Sequence, residues 1–235
     1  MTNSPKIVAH FSGVDIPDSP FLNAKRIERI NAGKYEGQEI RGALHLVQPG
    51  DHVLELGAGL GIVGSVVAKT CKPAKMVAYE ANPALIETIN ETYKINKLKS
   101  RIQVKNEVLL SRPDRPATMA FAVHNSYLGS SLLGDADRAK EVVDVPTASF
   151  NDVVKRLKPN VILMDIEGGE LDVLEHANLN AMTQLRGIVI EFHPDQYEVS
   201  GMRRCKNILR EAGFERIEDL STRTVWVAQK EAGQV

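Results

Sequence analysis

The sequence predicts an α/β fold built on a mostly parallel sheet, and three observations carry that prediction. Short apolar runs alternate with helical patterns, which implies parallel strands joined by right-handed crossovers. The clearest unit is His52-Val53-Leu54-Glu55-Leu56-Gly57-Ala58-Gly59-Leu60-Gly61. Its apolar run suits a strand buried on both faces, and a glycine-rich turn follows. Third, successive strands end in acids or amides: Glu55, Glu80, Asn106 or Glu107, Asp165 with Glu167, and Glu191 with His193. Ligands of open parallel sheets bind outside the carboxyl ends of the strands. One such acid is ordinary, because helix N-termini favour acids. Five along one edge are better explained by a site.

Composition narrows the class. The chain has 235 residues, 43% apolar and 25% charged, which suits one soluble domain with an N-terminal extension. A net charge of −1 argues against a nucleic-acid surface, which needs a basic excess. Cys71 and Cys205 lie far apart without metal spacing, which points to a reducing compartment. No apolar run approaches a membrane span, and the first residues lack the regions of a signal peptide. A cytoplasmic protein without a membrane or nucleic-acid partner is expected. The oligomeric state is left open, a homodimer being one option.

Taken in order, residues 1–20 are polar and punctuated by Pro5, Gly13, Pro17 and Pro20, and should be loosely structured. Residues 21–30 place Phe21, Ala24, Ile27 and Ile30 at helical spacing, and residues 38–47 read as a second short helix. This predicts an N-terminal helical extension over residues 1–48, ahead of a main domain at 49–235. The extension is either a lid on the site or a layer outside the sheet. The first core strand ends near Leu56, and residues 62–69 form a helix. The glycines between them allow a tight turn and a ligand close to bare backbone. The helix start offers unpaired N–H groups. Gly59-Leu60-Gly61-Ile62-Val63-Gly64 formally matches a dinucleotide pattern, but it begins about three residues beyond the strand end that pattern requires. Counted from Glu55, the stretch reads acid-x-Gly-x-Gly-x-Gly. A buried acid needs a partner, and S-adenosylmethionine brings an ammonium and a sulfonium.

Residues 75–80 are a second buried strand ending in Glu80, and Pro83 opens the next helix. Glu80 lies 19 residues beyond Gly61. An acid there can accept hydrogen bonds from both ribose hydroxyls of a nucleotide. NAD enzymes use the same device, so Glu80 does not separate the two cofactors. Residues 101–105 are a third strand. Residues 111–147 are the least regular part, with a strand at 117–123 and a polar, glycine-rich loop from His124 that has the character of a functional loop. Ser149 caps a helix reaching Leu157. Strands at 160–165 and 187–193 flank a helix at 170–176, and a helix at 202–212 leads into strands at 214–220 and 223–228.

At this point the sequence resembles the FkbM-type methyltransferases. The carriers are Pro49-Gly50-Asp51, Glu55-Leu56-Gly57-Ala58-Gly59-Leu60-Gly61, Tyr79-Glu80-Ala81-Asn82-Pro83 and Asn96 in the first half. In the second half they are Met164-Asp165-Ile166-Glu167-Gly168-Gly169-Glu170-Leu171-Asp172-Val173-Leu174 and Ile190-Glu191-Phe192-His193-Pro194. The likeness covers roughly residues 33–195. Where the family often has Asp and Asn, this chain has Glu55 and Leu60; carboxylate and glycines are kept. The resemblance implies a class I, Rossmann-like fold: a seven-stranded, mostly parallel sheet, helices on both faces and an antiparallel C-terminal strand. It implies S-adenosyl-L-methionine as cofactor, and methyl transfer to a hydroxyl of a sugar or other small natural-product acceptor. Glu55, Gly57, Gly59 and Glu80 carry over as cofactor contacts, with their neighbours Ala58, Ala81 and Asn82. Glu107, or alternatively Asn106, falls near the adenine amine.

For catalysis, His193 is the expected general base, since an imidazole titrates near neutrality. Asp165 and Glu167 stand at the neighbouring strand end. They orient that imidazole, hold the acceptor's hydroxyls, or meet the cofactor's ammonium. The favoured arrangement has no metal; the alternative joins Asp165 and Glu167 with Glu191 and His124 around a divalent ion. Two other functions compete: an NAD-dependent oxidoreductase, and a nucleotide-binding protein without turnover.

Overall fold

In the computed structural model, residues 5–123 and 141–230 are described. The chain opens on a hairpin. Ser12 and Gly13 both take positive φ, 48° and 77°, the turn geometry whose twist matches paired strands. Ile7–Phe11 (β1) and Val14–Pro17 (β2) therefore pair antiparallel. The expectation of loose structure before residue 20 is corrected here. Ala9, Val14 and Ile16 are buried in the core, and Asn96 both donates to the Asp15 carbonyl and accepts from the Asp15 N–H. Tertiary contacts of this kind leave no local sequence signature.

Ala24–Asn31 (α1) is capped by the Asn23 side chain, and Gly37–Leu46 (α2) follows. The central repeat is then His52–Leu56 (β3), Ile62–Thr70 (α3), Lys75–Tyr79 (β4), Ile86–Ile95 (α4) and Ile102–Lys105 (β5). Val108–Leu110 (β6), Thr118–Val123 (β7) and Glu141–Ser149 (β8) form a separate three-stranded sheet in the order β6-β8-β7. Of the middle region, the sequence foresaw only β7. The helix Phe150–Leu157 (α5) starts on the Ser149 cap, whose hydroxyl accepts from the Asp152 N–H. Val161–Met164 (β9), Glu170–His176 (α6), Gly187–Glu191 (β10), Pro194–Glu211 (α7), Phe214–Arg216 (β11) and Val225–Lys230 (β12) complete the chain. The helix α7 begins earlier than the sequence suggested and is broken at Tyr197 and Glu198, which leave the helical region.

The main sheet has seven strands in the order β11-β12-β10-β9-β3-β4-β5. β12 runs antiparallel to both its neighbours, and the other pairs are parallel. Alternation along the strands sends Val53, Ala78, Leu163 and Val189 to one face, against Ile40 and Ala43 of α2, Val66 and Val67 of α3, and Ile89 and Tyr93 of α4. Leu54, Leu56, Tyr79, Met164 and Ile190 go to the other, against Phe150 and Val153 of α5, Val173 and Leu174 of α6, and Leu209 of α7. Both faces are thus covered, as a parallel sheet requires. At the amino edge Arg186 grips Asp51 through two bonds of 2.8 and 2.5 Å. That pairing joins the approach to β3 with the approach to β10. Among the described residues no helix is long and apolar enough to cross a membrane.

Candidate active site

The site grows from the end of β3. Gly57, Gly59 and Gly61 all adopt positive φ (83°, 53° and 72°), backbone that side-chain-bearing residues rarely take. The turn begins right after the strand, so the register counted from Glu55 is the one the fold uses. A Cβ on Gly57 would stand 1.7 Å from the Asp165 carbonyl oxygen, so only glycine lets the ends of β3 and β9 lie side by side.

Glu80, at the end of β4, closes the turn from its other side. Its Oε2 accepts from the Gly59 N–H at 2.9 Å and its Oε1 from the Asn82 N–H at 2.8 Å. Burial raises its pKa, and these N–H groups pull it back. Asn106 donates to the carbonyls of Glu80 and Ala81, bracing the turn from below, while Glu107 faces the open space.

That space is a cleft of about 950 Å³ including its open mouth. Of the residues singled out from sequence, Gly57, Ala58, Gly59, Glu80, Ala81, Asn82, Glu107, Asp165 and Glu167 line it. Tyr35, Glu36, Leu109, Leu110 and Phe121 also line it; these arrive by tertiary packing, and nothing local in the sequence marks them. Glu55, Asn106 and His193 do not line it.

Glu55 lies on the α3 side of β3, 2% exposed, with no side-chain partner for either carboxylate oxygen and only the Gly64 backbone N–H beside it. A Cβ on Gly64 would reach within 2.5 Å of its Oε2, so that helical glycine makes room for it. Burial, then the charge of Glu80, pushes the Glu55 pKa up to about 8. Glu55 borders a smaller cavity shared with Glu36, Glu39, Gly57 and Asp165. Glycine turn and smaller cavity meet at Gly57 and Asp165.

At the ends of β9 and β10 the acids gather around one imidazole. His193 Nδ1 lies 2.9 Å from Glu170 Oε1, and Nε2 lies 3.6 Å from Asp165 Oδ1 and 3.3 Å from Glu167 Oε2. Glu167 takes φ 53°, an uncommon conformation for a side-chain-bearing residue that turns the chain between β9 and α6. Burial would lower the His193 pKa, but the bond to Glu170 and the charges of Glu170, Asp165 and Glu167 outweigh it and push it up to about 9. Burial, followed by the charge of Glu191, raises Asp165 well above the usual carboxylate range. Burial raises Glu167 as well. Glu191 and Glu36 are each pushed up to about 7, by burial and then by the charge of Glu39. The sequence did not single out Glu36 or Glu39, and Glu170 figures there only within the segment that carries the resemblance, without a role. Glu170 was findable in principle, because it precedes Val173 and Leu174 at helical spacing on the buried side of α6. His124 and the loop it opens lie outside the described residues.

Comparison with known proteins agrees with this architecture. The model of the methyltransferase FkbM domain matches residues 55–216. A ribosomal protein L11 methyltransferase from Geobacillus kaustophilus is 29% identical over 92 residues, covering 39% of this chain and 29% of that protein. One from Bacillus velezensis is 32% identical over 71 residues, covering 30% and 22%. The chain thus matches less than a third of the length of these curated relatives. Among solved structures, the precorrin-6y C5,15-methyltransferase of Geobacter metallireducens superposes with TM-score 0.50 at 11% identity, covering 84% of this chain and 89% of that one; it shares the fold. With the family model spanning the glycine turn, Glu80, Asp165 and His193, the chain belongs to the methyltransferase FkbM domain family.

Proposed function

We propose that this protein binds S-adenosylmethionine in the cleft at the carboxyl edge of β3, β4 and β9 and methylates a hydroxyl of a small acceptor such as a sugar or natural product. One observation carries the reading: a single cleft is lined by the glycine turn, Glu80, Asp165 and Glu167 together. The residues fit the cofactor. Glu55 stands behind the glycine turn, bordering the smaller cavity that shares Gly57 and Asp165 with the cleft. Each Glu80 oxygen holds one backbone N–H and keeps lone-pair capacity for a ribose hydroxyl. Glu107 and Phe121 offer a polar edge and an aromatic wall for a base.

When bound, the sulfonium supplies a methyl carbon already activated for in-line displacement. The chain's own task is to align the acceptor and ease the loss of its proton. Asp165 and Glu167 line the cleft and stand where an acceptor hydroxyl would meet them. His193 sits behind both, its Nε2 3.6 Å from Asp165 Oδ1 and 3.3 Å from Glu167 Oε2.

The test is ligand-dependent stability. Only a ligand that binds the native state raises the melting temperature, so S-adenosylhomocysteine should stabilise the protein and NAD should not. Labelled S-adenosylmethionine with a panel of hydroxylated metabolites then identifies the acceptor. Stabilisation by NAD alone would replace this reading with an oxidoreductase.

A further inference from the structure

We propose that Asp165 Oδ1, Glu167 Oε2 and His193 Nε2 form a binding site for one divalent first-row metal ion at the acceptor end of the cleft. The separations suit an ion better than they suit hydrogen bonds. Nε2 lies 3.6 Å from Oδ1 and 3.3 Å from Oε2, and one ligand atom from each of the three residues falls within 4.8 Å of the other two. Ligands about 2.1 Å from one ion at near-tetrahedral angles stand about 3.4 Å apart. Charge-assisted hydrogen bonds close to about 2.7–2.9 Å, as Nδ1 does on Glu170 at 2.9 Å.

Two further observations point to a ligand. Asp165 Oδ1 is buried, lacks a hydrogen-bond partner and faces the imidazole. Such an oxygen calls for a cation or a donor. Glu170 is 0% exposed, with Oε1 on His193 Nδ1 and Oε2 unpartnered. A carboxylate on the far ring nitrogen is the arrangement that orients metal-binding imidazoles and leaves Nε2 as the ligand. One imidazole and two carboxylates suit ions such as Mn²⁺, Co²⁺ or Zn²⁺. Glu36, Glu39 and Glu191 form a second cluster, but it contains no imidazole and no buried unpartnered oxygen among the described residues.

Asp165 and Glu167 border the cleft, so an ion between them presents its open positions to the acceptor. On the methyl-transfer reading, the acceptor hydroxyl displaces water from the ion and becomes more acidic. Its proton passes to solvent as the new O–CH₃ bond forms and the S–CH₃ bond breaks.

The experiment titrates the full, chelator-stripped chain with Co²⁺, followed by visible absorption, and with Mn²⁺ by calorimetry. One ion per chain is expected. His193→Ala and Glu167→Gln should each weaken binding by more than the roughly 10–100-fold typical of losing an outer-shell partner. Glu191→Gln should leave the ion in place. Circular dichroism and the thermal shift with S-adenosylhomocysteine establish that each variant is folded. No saturable binding at millimolar Co²⁺ overturns the site, as does binding that survives both His193→Ala and Glu167→Gln. Cofactor binding without metal binding leaves the methyl-transfer reading standing and removes this site; metal binding without cofactor binding does the reverse.

Discussion

At the scale of single residues, Glu55 links stability to pH. Its carboxyl is buried without a side-chain partner and its pKa is pushed up to about 8, by burial and then by Glu80. In the unfolded chain it titrates near 4.3. The folded state thus holds this proton more tightly than the unfolded one, so the stability it represents is complete below about pH 4 and lost as pH rises toward 8. Glu55→Gln removes the titration. The variant should gain on wild type across that window, on the order of a few kcal/mol at pH 8, measured by urea unfolding at both ends. Parallel pH profiles for the two proteins would show that Glu55 is not held neutral. Glu80 carries a different load. Because its oxygens tie down Gly59 and Asn82, Glu80→Leu leaves a buried and a part-buried N–H unpaired, the buried one costing about 1–3 kcal/mol. It should lower the melting temperature as well as weaken S-adenosylhomocysteine binding at least tenfold. A variant with unchanged affinity would take Glu80 out of the site. Both residues were legible because strand-end acids follow apolar runs. Tyr35, Glu36 and Phe121 reach the cleft from distant elements, and no local pattern announces them.

At the scale of elements, the glycine turn between β3 and α3 is the part whose sequence and geometry correspond most closely. Strand, turn and helix follow from one apolar run and three glycines, and the observed boundaries at Leu56 and Ile62 fall where the residues put them. Gly59 is the sharpest test of what the turn is for. Its φ of 53° is an outlier for β-branched residues, and its N–H is held by Glu80. Gly59→Val should abolish S-adenosylhomocysteine binding while circular dichroism still shows the α/β signature. Normal binding would make the turn structural only. The middle sheet was harder to foresee. β6 has only three residues and β8 carries Pro146, which argues locally against a strand. Pairing of β8 with β7 along six register positions overrides that local signal, an outcome decided by tertiary context.

At the scale of the whole molecule, the relation of the N-terminal segment to the rest is open to experiment. The sequence divides the chain into an extension at 1–48 and a main domain from residue 49. Val14 and Ile16 are 0% and 2% exposed within the same apolar cluster as Val66, Ile89 and Tyr93 of α3 and α4. Ser19 Oγ meets Thr88 Oγ1 at 3.1 Å, and Asn96 exchanges two hydrogen bonds with Asp15. The β1–β2 hairpin therefore behaves as a plug over α3 and α4, on the face of the sheet where Glu55 is enclosed. Tyr35 and Glu36 of the same segment reach the cleft, so one stretch of chain serves both core and site. Fully burying each large aliphatic side chain is worth about 1.5–3 kcal/mol, a large share of the roughly 5–15 kcal/mol that holds a domain together. Ile16→Ala should cost about 2–5 kcal/mol, which lowers the melting temperature of a chain this size by roughly 5–20 °C. Deleting residues 1–20 should do more, leaving α3 and α4 uncovered and the protein prone to aggregate. A truncated protein with wild-type melting temperature and unchanged S-adenosylhomocysteine affinity would instead establish the segment as a detachable extension.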